Sequence, residues 1–150
     1  MIREIIHIGV TVKDIERSIE FYRDILGLKL KGRLLMKGKE TDILFGAEDL
    51  EVKVAYLNGS DDLKCPPVEL LEFSEKTEIS QSHLQKTSIS EICFKVDDID
   101  SEYERLKNLG VEFISEPQEF DFIEYGFGKS KAVYFKDPDG VILELIQEIN

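Results

Sequence analysis

Hydrophobic and polar residues follow the same order at two places in the chain. Residues 6–15 (IHIGVTVKDI) alternate apolar and polar side chains up to an aspartate, and residues 90–99 (SEICFKVDDI) do so again. The two segments align at one constant offset, which pairs His7 with Glu91 and Asp14 with Asp98. A period of two predicts a strand, and an aspartate before an apolar run predicts a helix N-cap. Because the offset holds over the whole segment, the pattern predicts an internal repeat.

Each repeat continues with a stretch in which apolar residues recur at helical spacing. One face of each predicted helix is therefore apolar. Gly27 and Gly110 follow where a left-handed C-cap belongs, and new strands are predicted to begin near Leu28 and Val111. The two faces consist of Ile15, Ile19, Tyr22 and Leu26 in the first copy and of Ile99, Tyr103, Leu106 and Leu109 in the second.

The ends of the two copies also correspond. Residues 54–57 (VAYL) resemble 132–135 (AVYF), and 68–71 (VELL) resemble 143–146 (LELI). Each half thus reads as strand, helix and three strands. The pattern predicts an α+β fold of two tandem βαβββ modules, about 1–75 and 88–150. They would form a curved, partly closed mixed sheet with helices on its outer face. The alternative is a generic α+β domain whose internal similarity is coincidental.

Composition narrows the possible partners. The chain has 150 residues and a formal net charge of −12, which argues against nucleic acid and against an anionic membrane surface. An anionic small molecule stays possible, because one local basic pocket could hold it. No apolar run is long enough to span a membrane. Cys65 and Cys93 have no disulfide-framework spacing, so we expect reduced thiols and a cytoplasmic protein.

The candidate chemistry lies on the polar faces of the predicted strands. Successive strand side chains point to opposite faces, and the purely apolar faces should pack under the helices. That leaves His7, Glu69, Glu91 and Glu144 on the concave side, where a pseudo-twofold relation of the modules would bring them together. Gly9 leaves room for a ligand beside His7. The alternatives are a structural histidine, exposed acidic residues at strand positions, or a degenerate site.

Four segments resemble the vicinal-oxygen-chelate superfamily, and the resemblance covers nearly the whole chain as a single domain. The segments are 7–10 (HIGV), 21–27 (FYRDILG), 92–99 (ICFKVDDI) and 137–145 (DPDGVILEL). That superfamily includes glyoxalase I, methylmalonyl-CoA epimerase, extradiol dioxygenases, fosfomycin-resistance enzymes and metal-free bleomycin-resistance proteins. Residues 68–72 (VELLE) are most similar to the lyase and epimerase branches.

By that resemblance His7, Glu69, Glu91 and Glu144 are the metal ligands. The family most often has histidine where this chain has Glu91. One nitrogen and three carboxylate donors favour Mn²⁺, Mg²⁺ or Fe²⁺, with Zn²⁺ or Ni²⁺ possible. Three carboxylates would also cancel the charge of the cation, which puts a glyoxalase I activity in doubt.

The resemblance implies a metal-dependent lyase or isomerase of the glyoxalase or epimerase type, which includes lactoylglutathione lyases. It would act on a small oxygenated substrate through an enediolate, with Glu69 or Glu144 as the base. Gly126 and Gly128 would allow a mobile lid, and the protein would be a homodimer. A metal-free binding protein of the bleomycin-resistance type is the alternative, and a ring-cleaving dioxygenase ranks lower. The expected substrate-contacting residues are Phe45, Leu71, Phe73, Phe122 and Phe127.

Overall fold

The chain folds as two compact units, Met1–Ile79 and Ser80–Asn150. The structure, a computed structural model, describes residues 5–59, 66–75, 84 and 89–149. The boundary between the units falls within the polar stretch between the two predicted modules. Cys65 and His83 lie outside the described residues.

Each unit begins with a short strand and a helix and continues with three longer strands. The elements of the first unit are β1 (Ile8–Thr11), α1 (Ile15–Glu20), β2 (Lys29–Lys37), α2 (Lys39–Phe45), β3 (Glu51–Asn58) and β4 (Val68–Phe73). Those of the second unit are β5 (Ile92–Lys95), α3 (Ile99–Asn108), β6 (Gln118–Phe122), β7 (Gly128–Lys136) and β8 (Ile142–Ile149). The predicted order of strand, helix and three strands is confirmed in both units.

The two sheets have the same topology. Their strand orders are β1-β4-β3-β2 and β5-β8-β7-β6. In each, the first strand pairs in parallel with the last, and the other neighbours are antiparallel. The last strand of each unit therefore lies between the first strand and the third. A residue of this last strand can have one register partner on each of the two neighbouring strands. This placement makes the last strand the natural position for a side chain that meets two neighbours.

Both helices start in the same way. Asp14 accepts hydrogen bonds from the N–H groups of Glu16 and Arg17, and Asp98 accepts one from Ser101, as N-caps do. A residue of the last strand adds a second acceptor at each helix start. The Ile15 N–H donates to Oε2 of Glu72 at 2.7 Å, and the Ile99 N–H donates to Oε1 of Gln147 at 2.9 Å. These bonds fix each helix against the sheet that carries the candidate chemistry.

The apolar helix faces and one face of each sheet form the two cores. Tyr22, Ile19, Leu70 and Leu143 are almost completely buried. The predicted helical face extends one residue too far in the second unit, because Leu109 is the C-cap of α3 and is 52% exposed.

Two further predictions about these elements need correction. After Glu20 the first helix continues with π-helical turns at Phe21–Ile25 rather than as one regular α-helix. The strand predicted near Val111 begins only at Gln118. Before it, Phe113 forms an isolated bridge with Phe135. Within the described ranges, no helix is long and apolar enough to cross a membrane.

Candidate metal and substrate site

The first cluster consists of His7, Gly9, Tyr56 and Glu69, and it lies on the sheet face opposite α1. In the register of the sheet, Glu69 has Gly9 as its partner on β1 and Tyr56 as its partner on β3. Residues directly opposite one another lie on the same face. Because His7 is two residues before Gly9, the alternation of the strand brings it to that face too.

The Glu69 carboxylate has a different neighbour at each oxygen. The Tyr56 hydroxyl donates a hydrogen bond to Oε1 at 2.5 Å. Nε2 of His7 lies 3.2 Å from Oε2, with 10% of the Glu69 side chain and 43% of the His7 side chain exposed. The hydrogen bond to Glu69, followed by burial, raises the pKa of Tyr56 to about 12. The tyrosine therefore remains a donor at neutral pH.

Gly9 leaves space beside the second oxygen. A Cβ atom at this position would lie 3.6 Å from Oε2 of Glu69 and 3.2 Å from Cδ1 of Leu71, which is a crowded contact. Because Gly9 has no side chain, no Cβ atom crowds Oε2 of Glu69, which lies next to Nε2 of His7. A buried carboxylate oxygen next to an imidazole nitrogen is a pair of donors suited to a divalent cation.

The second cluster consists of Glu91, Cys93, Tyr134 and Glu144. Here Glu144 has Cys93 as its register partner on β5 and Tyr134 as its partner on β7. Cys93 thus occupies the place that Gly9 has in the first cluster. Although the residue is exposed, loss of solvation raises the pKa of the Cys93 thiol to about 12, with a hydrogen bond to Glu144 and the charge of Glu91 adding to the shift.

Tyr134 has a different environment from Tyr56. Loss of solvation is the main cause that raises the pKa of Tyr134, and the charges of Glu144 and Glu91 raise this pKa further. Within the described part of the chain, no hydrogen bond joins the Tyr134 hydroxyl to either carboxylate.

The structure brings together the predicted ligands of each unit, in pairs. His7 and Glu69 form one pair, and in the other Glu144 hydrogen-bonds to Cys93 while the charge of Glu91 acts on the same thiol. Among the described residues, no group of three or more His, Cys, Asp or Glu side chains is close enough to hold a metal ion. Counting described residues alone, neither unit by itself therefore brings three such side chains together.

Three of the predicted substrate-contacting residues share the face of Glu69. Leu71 and Phe73 follow it on β4 and pack against the buried residues Leu50, Val52 and Val54. The rings of Phe45 and Phe73 meet edge to face, with centroids 5.3 Å apart. These side chains form an apolar surface next to the first cluster.

The other two predicted contacts belong to the second unit. Phe122 ends β6, and its ring stacks on that of Phe120 with centroids 5.7 Å apart. Phe127 is 83% exposed and lies between Gly126 and Gly128, which both have positive φ angles. Positive φ is the conformation that glycine adopts without strain, so the two glycines shape this turn.

The sequence pattern did not identify two tyrosines, Tyr56 and Tyr134, as residues of the candidate site. The similarity of 54–57 to 132–135 places a tyrosine third in each segment. Alternation puts Tyr56 and Tyr134 on one of two faces, but only the strand register shows that each stands directly opposite a candidate glutamate. The recurrence of a tyrosine at equivalent repeat positions was the available signal.

Comparison with known proteins gives consistent results. The sequence model of the Glyoxalase/Bleomycin resistance protein/Dioxygenase superfamily matches residues 4–145. A lactoylglutathione lyase of Pseudomonas aeruginosa is 26% identical over 94% of this chain and 80% of its own length. The metallothiol transferase FosB of Staphylococcus haemolyticus is 34% identical over 97% of this chain and 84% of its own. The crystal structure of a glyoxalase family protein from Bacillus cereus superposes with a TM-score of 0.83 at 20% identity, covering 100% of this chain and 96% of that one.

Proposed function

Since the chain belongs to the Glyoxalase/Bleomycin resistance protein/Dioxygenase superfamily, we propose that it is a divalent-metal-dependent lyase or isomerase acting on a small oxygenated substrate. The observation that carries the proposal is the pair formed by His7 and Glu69. Its nitrogen and its buried carboxylate oxygen lie 3.2 Å apart, next to a glycine that places no side chain against that oxygen.

The proposed metal ligands are His7, Glu69, Glu91 and Glu144. The first two fit a cation directly, because Oε2 of Glu69 and Nε2 of His7 are adjacent. The second two face Cys93 from neighbouring positions of the other unit. One nitrogen and three oxygen donors favour Mn²⁺, Mg²⁺ or Fe²⁺ over a nitrogen-rich zinc or nickel site.

The proposed reaction begins with removal of a proton next to a substrate carbonyl. When bound, a divalent cation would hold two substrate oxygens and draw negative charge toward them. The carboxylate of Glu69 or Glu144 would take the proton, since both lie on the polar face of a central strand. Phe45, Leu71 and Phe73 would cover the apolar part of the substrate from the first unit, and Phe122 and Phe127 would do so from the second.

Metal binding is the first test. A divalent ion that binds only the folded protein should raise the melting temperature. We expect a clear increase with millimolar Mn²⁺ in the wild type and a smaller one in Glu69→Gln and Glu91→Gln. Glu104→Gln, which removes an exposed charge from α3, is the matched control and should respond as the wild type does.

An unchanged melting temperature with Mn²⁺, Mg²⁺, Fe²⁺, Ni²⁺ and Zn²⁺ would reject the proposal. This result would favour the alternative function, a metal-free binding protein of the bleomycin-resistance type. The activity itself is tested by following the concentration of S-lactoylglutathione over time, because one relative is named a lactoylglutathione lyase.

A second candidate activity is thiol transfer to a small molecule. The observation that favours it is the 34% identity to a protein named a metallothiol transferase. A metal-dependent loss of free thiol in the presence of an electrophilic substrate, without lactoylglutathione turnover, would select this activity. The ring-cleaving dioxygenase ranks below both, because such iron sites use two histidines and one carboxylate, whereas the proposed set has one histidine.

We also propose a homodimer. Among the described strands, β1 and β2 lie at the edges of one sheet and β5 and β6 at the edges of the other, and sheet edges are commonly covered by a partner. Several large apolar side chains near β6 are exposed, among them Phe120, Phe122 and Phe127. Sedimentation of a monomer at high micromolar concentration would reject the dimer.

A further inference from the structure

We propose that Tyr56 is a positioning residue that fixes the Glu69 carboxylate so that it presents a single oxygen, Oε2, to the metal beside His7. The inference rests on the proposed function, because it concerns how one of the proposed ligands is held. It goes beyond that function by assigning a role to a residue outside the ligand set and by defining which oxygen of Glu69 binds.

The tyrosine is held by the sheet as well as by its hydroxyl group. Tyr56 stands directly opposite Glu69 in the antiparallel pair of β3 and β4, so the two backbones set the distance between them. Its ring packs against the buried cluster of Leu50, Val52 and Val54. The hydroxyl group therefore reaches Oε1, 2.5 Å away, from a ring that is restrained by its packing.

The two carboxylate oxygens consequently have different roles. Oε1 accepts the hydrogen bond from Tyr56, and Oε2 lies 3.2 Å from Nε2 of His7 next to Gly9, which has no side chain. A cation held by both oxygens would have to displace the tyrosine hydroxyl. A cation held by Oε2 alone keeps that bond, and the carboxylate needs no reorientation.

The second cluster supplies the matched control. Tyr134 stands opposite Glu144 as Tyr56 stands opposite Glu69. In the described residues, however, the Tyr134 hydroxyl makes no hydrogen bond to that glutamate, whose partner is Cys93. Replacing either tyrosine by phenylalanine removes one hydroxyl group and keeps the ring, but Tyr56→Phe alone of the two loses a hydrogen bond to the glutamate opposite.

The experiment compares Mn²⁺ binding by the wild type, Tyr56→Phe and Tyr134→Phe at one pH, using calorimetric titration. Loss of a hydrogen-bond partner behind a metal ligand typically weakens metal binding by about 10–100-fold. We expect a loss in that range for Tyr56→Phe and a change within about threefold for Tyr134→Phe. Circular dichroism and melting temperature establish that both variants are folded.

Infrared spectroscopy provides a readout that a purely structural role would not change. The separation of the asymmetric and symmetric carboxylate stretches is larger for one-oxygen than for two-oxygen coordination. We expect the larger separation in the Mn²⁺-loaded wild type and a smaller one in Tyr56→Phe, with Glu69→Gln used to identify the Glu69 bands.

A further readout needs no metal and no folded variant. Proton NMR of the wild type with labelled tyrosine should show one downfield, exchange-protected hydroxyl proton, because Tyr56 bonds to a carboxylate. Its absence would overturn the inference, as would Mn²⁺ affinity in Tyr56→Phe equal to that of the wild type. A wild type that takes up no Mn²⁺ would overturn the proposed function and the inference together.

Discussion

The two clusters occupy equivalent positions in the repeat, yet their glutamates are held differently. Glu69 is fixed at one oxygen by Tyr56 and has a histidine and a glycine beside the other. Glu144 has a cysteine in the place of that glycine and a glutamate in the place of that histidine. The first cluster is thus arranged to present one oxygen, whereas the second concentrates negative charge. The repeat places the two clusters at equivalent positions, and the different residues at those positions give them different chemistry.

The largest expected effect is on turnover. Glu69→Gln and Glu144→Gln should each lower kcat/KM, and the variant that lacks the general base should lose at least about 100-fold, since a general base contributes about 10²–10⁴-fold. The measurement is steady-state turnover in Mn²⁺-saturated protein, with S-lactoylglutathione, the compound in the name of the Pseudomonas aeruginosa relative, followed over time and Glu104→Gln as the control. Turnover at the wild-type level in Glu144→Gln would assign the chemistry to the first cluster alone.

Equivalent substitutions in the cores of the two units should lower the free energy of unfolding by similar amounts. Leu70 and Leu145 are equivalent residues of β4 and β8, with exposed fractions of 0% and 4%. Leu70→Ala and Leu145→Ala should each lower the free energy of unfolding by about 2–5 kcal/mol, because each leaves a cavity. Urea denaturation followed by circular dichroism measures this. Leu35→Ala, at a position that is 48% exposed, should change it by under about 0.5 kcal/mol.

Glu91→His would make the second cluster resemble the first. Imidazole is a better ligand than carboxylate for late transition metals, so the preference for Ni²⁺ or Zn²⁺ over Mn²⁺ should rise by about tenfold. Competitive metal titration measures the change, and Glu91→Gln controls for loss of charge. If Glu91→Gln binds Mn²⁺ as tightly as the wild type, Glu91 is not a ligand.

A side chain at Gly9 tests the approach to Oε2. Gly9→Cys places a Cβ atom 3.6 Å from that oxygen and 3.2 Å from Cδ1 of Leu71, and we expect Mn²⁺ binding to weaken by about tenfold. Gly32→Cys, at a position where a Cβ atom meets nothing within 4 Å, is the matched control, and its affinity should stay within about threefold of the wild-type value. Equal effects of the two substitutions in calorimetric titration would contradict this role of Gly9.

The smallest expected effect concerns the N-cap of α3. Hydrogen bonds from Ser101 lower the pKa of Asp98 below its ordinary value of 3.8. A carboxylate whose pKa is lower in the folded state stabilises the protein above its ordinary pKa, and this stabilisation is lost as the pH falls through the folded-state pKa. Asp98→Asn keeps a capping side chain without the titration. Melting temperatures between pH 5 and about pH 2.5 should therefore fall less steeply in the variant than in the wild type; identical slopes would contradict the assignment.

Much of the architecture was predictable because it depends on local patterns. Asp14 and Asp98 identified both helix starts, and alternation identified the strand that follows His7 and the strand that carries Glu69. The errors arose where packing overrides local preference. Leu109 has helical spacing but lies at the C-cap, and the residues after Val111 meet β7 through the isolated bridge of Phe113 before β6 begins at Gln118.

The sequence by itself determined the repeat, the element order and the faces on which the candidate glutamates lie, because the period of a strand or helix is a property of neighbouring residues. Only the tertiary structure decided which residue stands opposite which. Tyr56 meets Glu69 across a strand pair, 13 positions away along the chain, and the relative shift of two strands is set by the turn and by the packed core. A hydrogen bond to one carboxylate oxygen depends on that register, which no local pattern contains.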